Sequence, residues 1–108
     1  MTALPSPIAD YIEASNAHDA NAMARPFAMD AVVMDENKEY SGREAIQAWC
    51  GETDRMYTPT LEVVEFQQTG ADAVLHGKVS GTFPGSPVVL RFMFTLKGNE
   101  IVRLVIEV

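Results

Sequence analysis

A change of period near Pro59 narrows the fold more than any other feature of the chain. Before it, apolar residues recur at helical spacing; after it, they alternate. From Thr60 onward the sequence reads as four strands, Thr60–Gln68, Ala73–Thr82, Val88–Lys97 and Glu100–Glu107. The connections Thr69-Gly70-Ala71-Asp72, Phe83-Pro84-Gly85-Ser86-Pro87 and Lys97-Gly98-Asn99 carry turn residues and are short enough for antiparallel hairpins. In the second strand Ala73, Leu75, Gly77, Val79 and Gly81 share one face, while Val74, His76, Lys78 and Ser80 share the other. Its glycines predict strong sheet curvature or close packing.

The first half reads differently. Ser6 is a candidate N-cap with Pro7 at the first helical position, and Ile8, Tyr11, Ile12 and Ser15 then fall on one face. Asp19 can cap a second, short helix through about Arg25, which Pro26 interrupts. Ala31–Asp35 is a valine-rich strand, and Glu36-Asn37 turns it into a second short strand ending near Tyr40. Ser41-Gly42-Arg43-Glu44 has the form of a capping box. The helix it opens carries Ile46, Trp49, Cys50 and Thr53 on one face and frays around Met56, before Pro59. Helices and strands in separate runs indicate an α+β fold: a strongly curved antiparallel sheet wrapped around three N-terminal helices. Such a sheet encloses a pocket suited to a ligand. At 108 residues the expectation is one domain over residues 1–108.

Composition removes several function classes. The formal charge of −7, with eight scattered Lys and Arg, argues against nucleic acid, which needs clustered cations. No apolar run reaches the roughly 18–20 residues of a membrane helix. Met1–Pro7 lacks the basic start and apolar block of a leader, so the expected location is the cytoplasm. Cys50 is the single cysteine, which fits a reducing compartment and reads as a small apolar residue on a helix face. His18 and His76 are isolated, with no short-spaced ligand pair, so no metal is expected. No phosphate-binding glycine loop is present, since Phe83–Pro87 reads as a turn. What stands out is one phenol, Tyr11, and one carboxylate, Asp35, each set in apolar sequence where ionisable groups acquire unusual chemistry.

Three segments carry a resemblance: Tyr11 with Asn16-Ala17 and Asp19; Phe27-Ala28 with Asp30-Ala31 and Asp35; and Ser41-Gly42 with Ile46 and Trp49. Together with Phe92 and Phe94 they resemble the nuclear transport factor 2-like superfamily, in its SnoaL-like and ketosteroid-isomerase-like branches. The resemblance implies a cone-shaped cavity, no cofactor, and a homodimer through the outer sheet face. It is a specific signal for the fold and a weak one for function, since the fold hosts many chemistries. By this resemblance Asp35 matches the strand base of ketosteroid isomerases and Tyr11 their oxyanion donor. The protonated aspartate of that family is replaced by Leu90, and loss of one such donor typically costs roughly 10²–10³ in rate. That argues against a true ketosteroid isomerase. A register slip of one residue would instead bring Arg91 into the pocket.

Each candidate has a structural alternative. Asp35 is a desolvated general base or a strand-end residue opening a turn. Tyr11 is a hydroxyl donor or a core ring with its hydroxyl satisfied. Trp49, Leu90, Phe92, Leu104 and Ile106 face the interior, as substrate contacts or as core. Asp19 and Asp30 read as turn and helix-terminus carboxylates, His18 as solvated, and His76 as an outer-face residue. The expected function is a small SnoaL-like enzyme that binds an apolar carbonyl-bearing metabolite and transfers protons, in the manner of an isomerase or cyclase. The alternative is a non-catalytic dimeric ligand-binding or scaffold module; a protein-interaction domain of the nuclear-transport kind ranks behind both.

Overall fold

In the computed structural model, which describes residues 4–108, nine elements follow in chain order. They are α1 (Ser6–Asn16), α2 (Ala20–Ala24), β1 (Phe27–Asp35), β2 (Lys38–Ser41), α3 (Arg43–Tyr57), β3 (Thr60–Thr69), β4 (Asp72–Ser80), β5 (Val88–Lys97) and β6 (Glu100–Glu107). Residues 1–3, part of the segment read above for a leader, lie outside the described residues.

The helix starts show where local signals lose to the backbone. Helix α1 begins at Ser6 with Pro5 as the flanking residue and no side-chain cap, so Ser6 sits inside the first turn. Asp19 caps α2 as expected, accepting from the Ala22 N–H at 3.1 Å. The capping box at Ser41 does not form. Gly42 takes the capping position at φ +89, where a side chain is strained, and its N–H continues the ladder to Ala31 O at 2.8 Å. Ser41 is thereby kept in β2, and its hydroxyl donates to Glu39 instead. The Arg43 guanidinium anchors the same junction by donating to the Phe27 carbonyl at 2.6 Å and 3.1 Å.

The strands form one six-stranded sheet in the order β2-β1-β6-β5-β4-β3. All ladders are antiparallel but one: β1 runs parallel to β6, which corrects the expectation of a wholly antiparallel sheet. The α+β class and the three helices are as expected. Register shifts interrupt three of the ladders, the kind of irregularity that bends a strand. In one, Thr95 faces Arg103 and Leu96 faces Ile101, which leaves Val102 as an extra residue. Ile101 and Leu104, three apart, therefore both point inward and are fully buried.

The core lies between the inner sheet face and the helices. Phe27, Ile8, Ile46, Leu75, Ile101 and Leu104 are its largest fully buried side chains, each contributing on the order of 1.5–3 kcal/mol. The expected inner face of β4 is observed, with Ala73, Leu75 and Gly77 buried. Gly77 is there for close approach: an added Cβ would sit 3.1 Å from the Phe92 ring. One tether has no counterpart in the local sequence. The Asn16 side chain accepts from the Leu61 N–H at 2.8 Å and donates to the Leu61 carbonyl at 3.0 Å, joining the end of α1 to the start of β3.

Candidate active site

The cross-strand rows of the inner face decide where the core stops and a pocket begins. One row runs Phe94–Leu104–Val33, and the Tyr11 ring closes over it with edge contacts to Phe27 at 5.7 Å and Phe94 at 6.1 Å. The next row, Phe92–Ile106–Asp35, faces an apolar pocket of about 500 Å³. Such a volume suits a small organic ligand. Tyr11, Asp35, Trp49, Leu90, Phe92 and Ile106 all line it. Leu104 does not: it belongs to the row beneath, is fully buried, and is core rather than a ligand contact. Leu90 faces inward opposite Gly77, whereas Arg91 is on the outer face, paired with Glu107. The register slip that would have placed Arg91 in the pocket does not occur.

Asp35 ends β1, where Glu36 and Asn37 at φ +53 and +63 make a two-residue hairpin turn into β2. Its Oδ2 accepts from the indole N–H of Trp49 at 3.1 Å, across from the middle of α3. Among the described residues no other side chain bonds to this carboxylate, which lines the pocket. Burial pushes the Asp35 carboxyl above the usual carboxylate range, and the adjacent Glu36 charge adds to this. The Trp49 indole and the Glu36 backbone N–H act in the opposite direction. The outcome is a carboxyl that is more basic than usual and held in one orientation.

Tyr11 is 4% exposed, and its phenol is held well above its usual range, first by burial and then by Cys50 and Asp35. It therefore stays protonated and keeps an O–H able to donate. Among the described residues its hydroxyl bonds to no side chain or backbone group, and neither does that of Ser15 one helical turn on, which is 6% exposed. Among the described residues no side-chain nitrogen or oxygen sealed from solvent lacks a partner. Both hydroxyls must therefore open onto the pocket that their residues line. Cys50, behind them, is fully buried with its thiol pushed up to about 12 by burial, so it is not a thiolate nucleophile.

Several pocket residues were not singled out from sequence. Ser15 could have been found as the residue four after Tyr11 on the same helix face. Tyr57 and Phe83 line the pocket as an edge-to-face pair with centroids 5.8 Å apart, and both sit in segments read only as a fraying end and a turn. The Trp49–Asp35 bond carried no signal. The histidines are elsewhere: His18 Nδ1 is 2.7 Å from Asp54, and His76 lies 3.9 Å from Glu65 on the outer face. Among the described residues no group of His, Cys, Asp and Glu is arranged to hold a metal.

This architecture recurs among solved proteins. A candidate polyketide cyclase from Sinorhizobium meliloti is 38% identical, with a TM-score of 0.92 over 96% of this chain and 95% of that one. A protein with a ketosteroid-isomerase-like fold from Catenulispora acidiphila, in complex with trimethylamine, is 20% identical, with a TM-score of 0.87 over 98% of this chain and 87% of that one. An epoxide hydrolase/cyclase-like enzyme of pyran ring formation in the polyether salinomycin is 18% identical, with a TM-score of 0.81 over 94% and 86%. A search of curated proteins gives no match. The six-stranded sheet with its three helices is the fold of the nuclear transport factor 2-like superfamily. Within it the chain belongs to the SnoaL-like domain family, whose model matches residues 8–104.

Proposed function

We propose that the pocket binds a small apolar molecule bearing a carbonyl, and that Asp35 and Tyr11 transfer a proton next to that carbonyl. The observation carrying this reading is that a carboxyl made more basic by burial and an unpartnered phenol line one apolar pocket. The Asp35 carboxylate takes the α-proton, and the C–H electron pair moves into the enolate. The enolate oxygen accepts a hydrogen bond from the Tyr11 O–H. Return of the proton to another carbon completes an isomerisation; attack of the enolate carbon on a second carbonyl, whose oxygen takes the π pair and then the proton held by Asp35, completes an aldol cyclisation. Neither step calls for a cofactor or metal.

Leu90 refines the substrate. With no second acid there, a single donor stabilises the enolate, so the proton removed must already be acidic, as between a carbonyl and a second activating group. The candidate cyclase activity of the relative from S. meliloti is in keeping with this. As partner we propose a second copy, docked through the outer sheet face. A partly buried apolar row, Val74–Met93–Val105–Met34, crosses that face in register.

The test is deuterium uptake from D₂O into β-tetralone, an apolar bicyclic ketone with activated α-protons, followed by NMR. Wild-type protein should accelerate uptake above the buffer rate. Asp35→Asn should lose roughly 10²–10⁴ of the acceleration and Tyr11→Phe roughly 10²–10³. Equal uptake in all three proteins would refute the assignment. Binding of β-tetralone without acceleration would make the protein a ligand-binding module.

A further inference from the structure

The charge of the pocket goes beyond the proton transfer proposed for it. Five aromatic side chains line it: Tyr11, Trp49, Tyr57, Phe83 and Phe92. Two carboxylates, Asp35 and Glu36, line it as well, and among the described lining residues there is no lysine, arginine or histidine. Three of the eight cations have contacts of their own away from the lining. Arg43 binds the Phe27 carbonyl, Arg91 pairs with Glu107 and Arg103 lies 3.9 Å from Met34 Sδ. The two buried hydroxyls that open onto the space, those of Tyr11 and Ser15, add lone pairs. We infer that this pocket selects an apolar ligand that carries a positive charge, a protonated or quaternary amine, and rejects anionic ligands.

The physical argument has three parts. Aromatic faces attract a cation through the ring quadrupole, most strongly where water is excluded, and disfavour an anion for the same reason. A carboxylate at the pocket wall adds an attraction that a neutral ligand cannot use, and repels a ligand carboxylate or phosphate. The net charge of −7 extends that bias outward and steers cations toward the molecule. Apolar walls contributed by Leu61, Val79, Leu90 and Ile106 require that the charge sit on a hydrophobic body. An alkylated ammonium meets both demands, because its methyl groups shield the charge while leaving it available to the rings.

The inference rests on the pocket being the ligand site proposed above, and one experiment separates the two. Three methyl ketones are titrated by calorimetry into the full-length protein: one bearing a trimethylammonium group three methylenes from the carbonyl, its uncharged tert-butyl isostere, and the matching carboxylate. Deuterium uptake into β-tetralone is read in parallel. The ammonium ketone should bind about tenfold more tightly than its isostere, and the carboxylate should bind more weakly than both. Asp35→Asn, Glu36→Gln and Phe83→Leu should each lower the ammonium-to-isostere ratio, which isolates charge from shape. A ratio of one or less, carboxylate binding equal to the isostere, or no binding of the ammonium ketone would overturn the inference. If the ratio holds while exchange of β-tetralone is not accelerated, charge selection stands and Asp35 is not a base. Exchange without charge preference leaves the proton-transfer reading standing and removes this one.

Discussion

Trp49→Phe tests the least expected contact of the site. The substitution keeps an aromatic ring beside Tyr40, whose centroid lies 6.0 Å away, and removes only the N–H that reaches Asp35 Oδ2 at 3.1 Å. A hydrogen bond to a charged group contributes roughly 1.5–3 kcal/mol. Asp35 is only partly buried and faces a pocket that admits water, so the lower end, about 1.5 kcal/mol, applies. Losing that stabilisation of the carboxylate shifts its ionisation equilibrium about tenfold toward the acid. The sign follows directly. Burial already raises the Asp35 carboxyl, and the indole opposes the rise, so without it the carboxyl goes higher still.

The assay is the pH profile of β-tetralone deuterium exchange. The acid limb of the variant should move to higher pH, with exchange about tenfold slower on the limb. On the alkaline plateau, where both proteins carry an ionised Asp35, the variant should recover to at least the wild-type rate, because its base is stronger. A role in packing alone would lower the rate at every pH and leave the limb in place. An unmoved limb, or one moved to lower pH, would refute the claim that Trp49 positions and tunes the base.

Asp35→Asn should change stability in a pH-dependent way. A carboxyl raised in the folded state makes stability fall as pH rises from the ordinary carboxylate range through its folded value, so the gain from Asn should be larger at pH 7 than at pH 4 in urea titrations. Asn16→Ala removes both bonds to the Leu61 backbone and should cost about 2–3 kcal/mol in the same titration, against near zero if the tether were incidental. Ser41→Ala should leave stability within about 0.5 kcal/mol, because no cap is lost. Gly42→Ala should cost about 1 kcal/mol or more, because φ is +89 there. The reverse order would restore the capping box.

The parts of the fold legible in the sequence are those with strong local determinants. Strands β5 and β6 begin and end where alternation and the Gly98-Asn99 turn place them. The inner face of β4 follows from its period, and α2 starts at its cap, Asp19. What was not legible depends on chain segments that meet only in three dimensions. The parallel ladder joins β1 to β6, from opposite ends of the chain. Leu104 has the right residue type and the right face, yet lies one row too deep, a distinction set by where Tyr11 closes the core. Tyr11 and Asp35 could be paired from residues embedded in apolar sequence. The indole that orients Asp35 comes from 14 residues away, across a turn, a strand and half a helix, and no spacing encodes it.

The site is assembled from the ends of elements, which explains why the fold can be read and the ligand cannot. Asp35 is the last residue of β1 and Tyr57 the last of α3, while Leu90 and Ile106 lie near the start of β5 and the end of β6. The Phe94–Leu104–Val33 row beneath them holds the strand register whatever the pocket contains. Changes in the Phe83–Pro87 hairpin or the final turn of α3 would then reshape the pocket walls without disturbing a core row. In this arrangement the core determines where Asp35 and Tyr11 stand, and Tyr57, Phe83 and Glu36 contribute further pocket wall. Under the proposed function, ligand choice would follow from the loop and helix-end sequence, the segments whose local patterns constrain structure least.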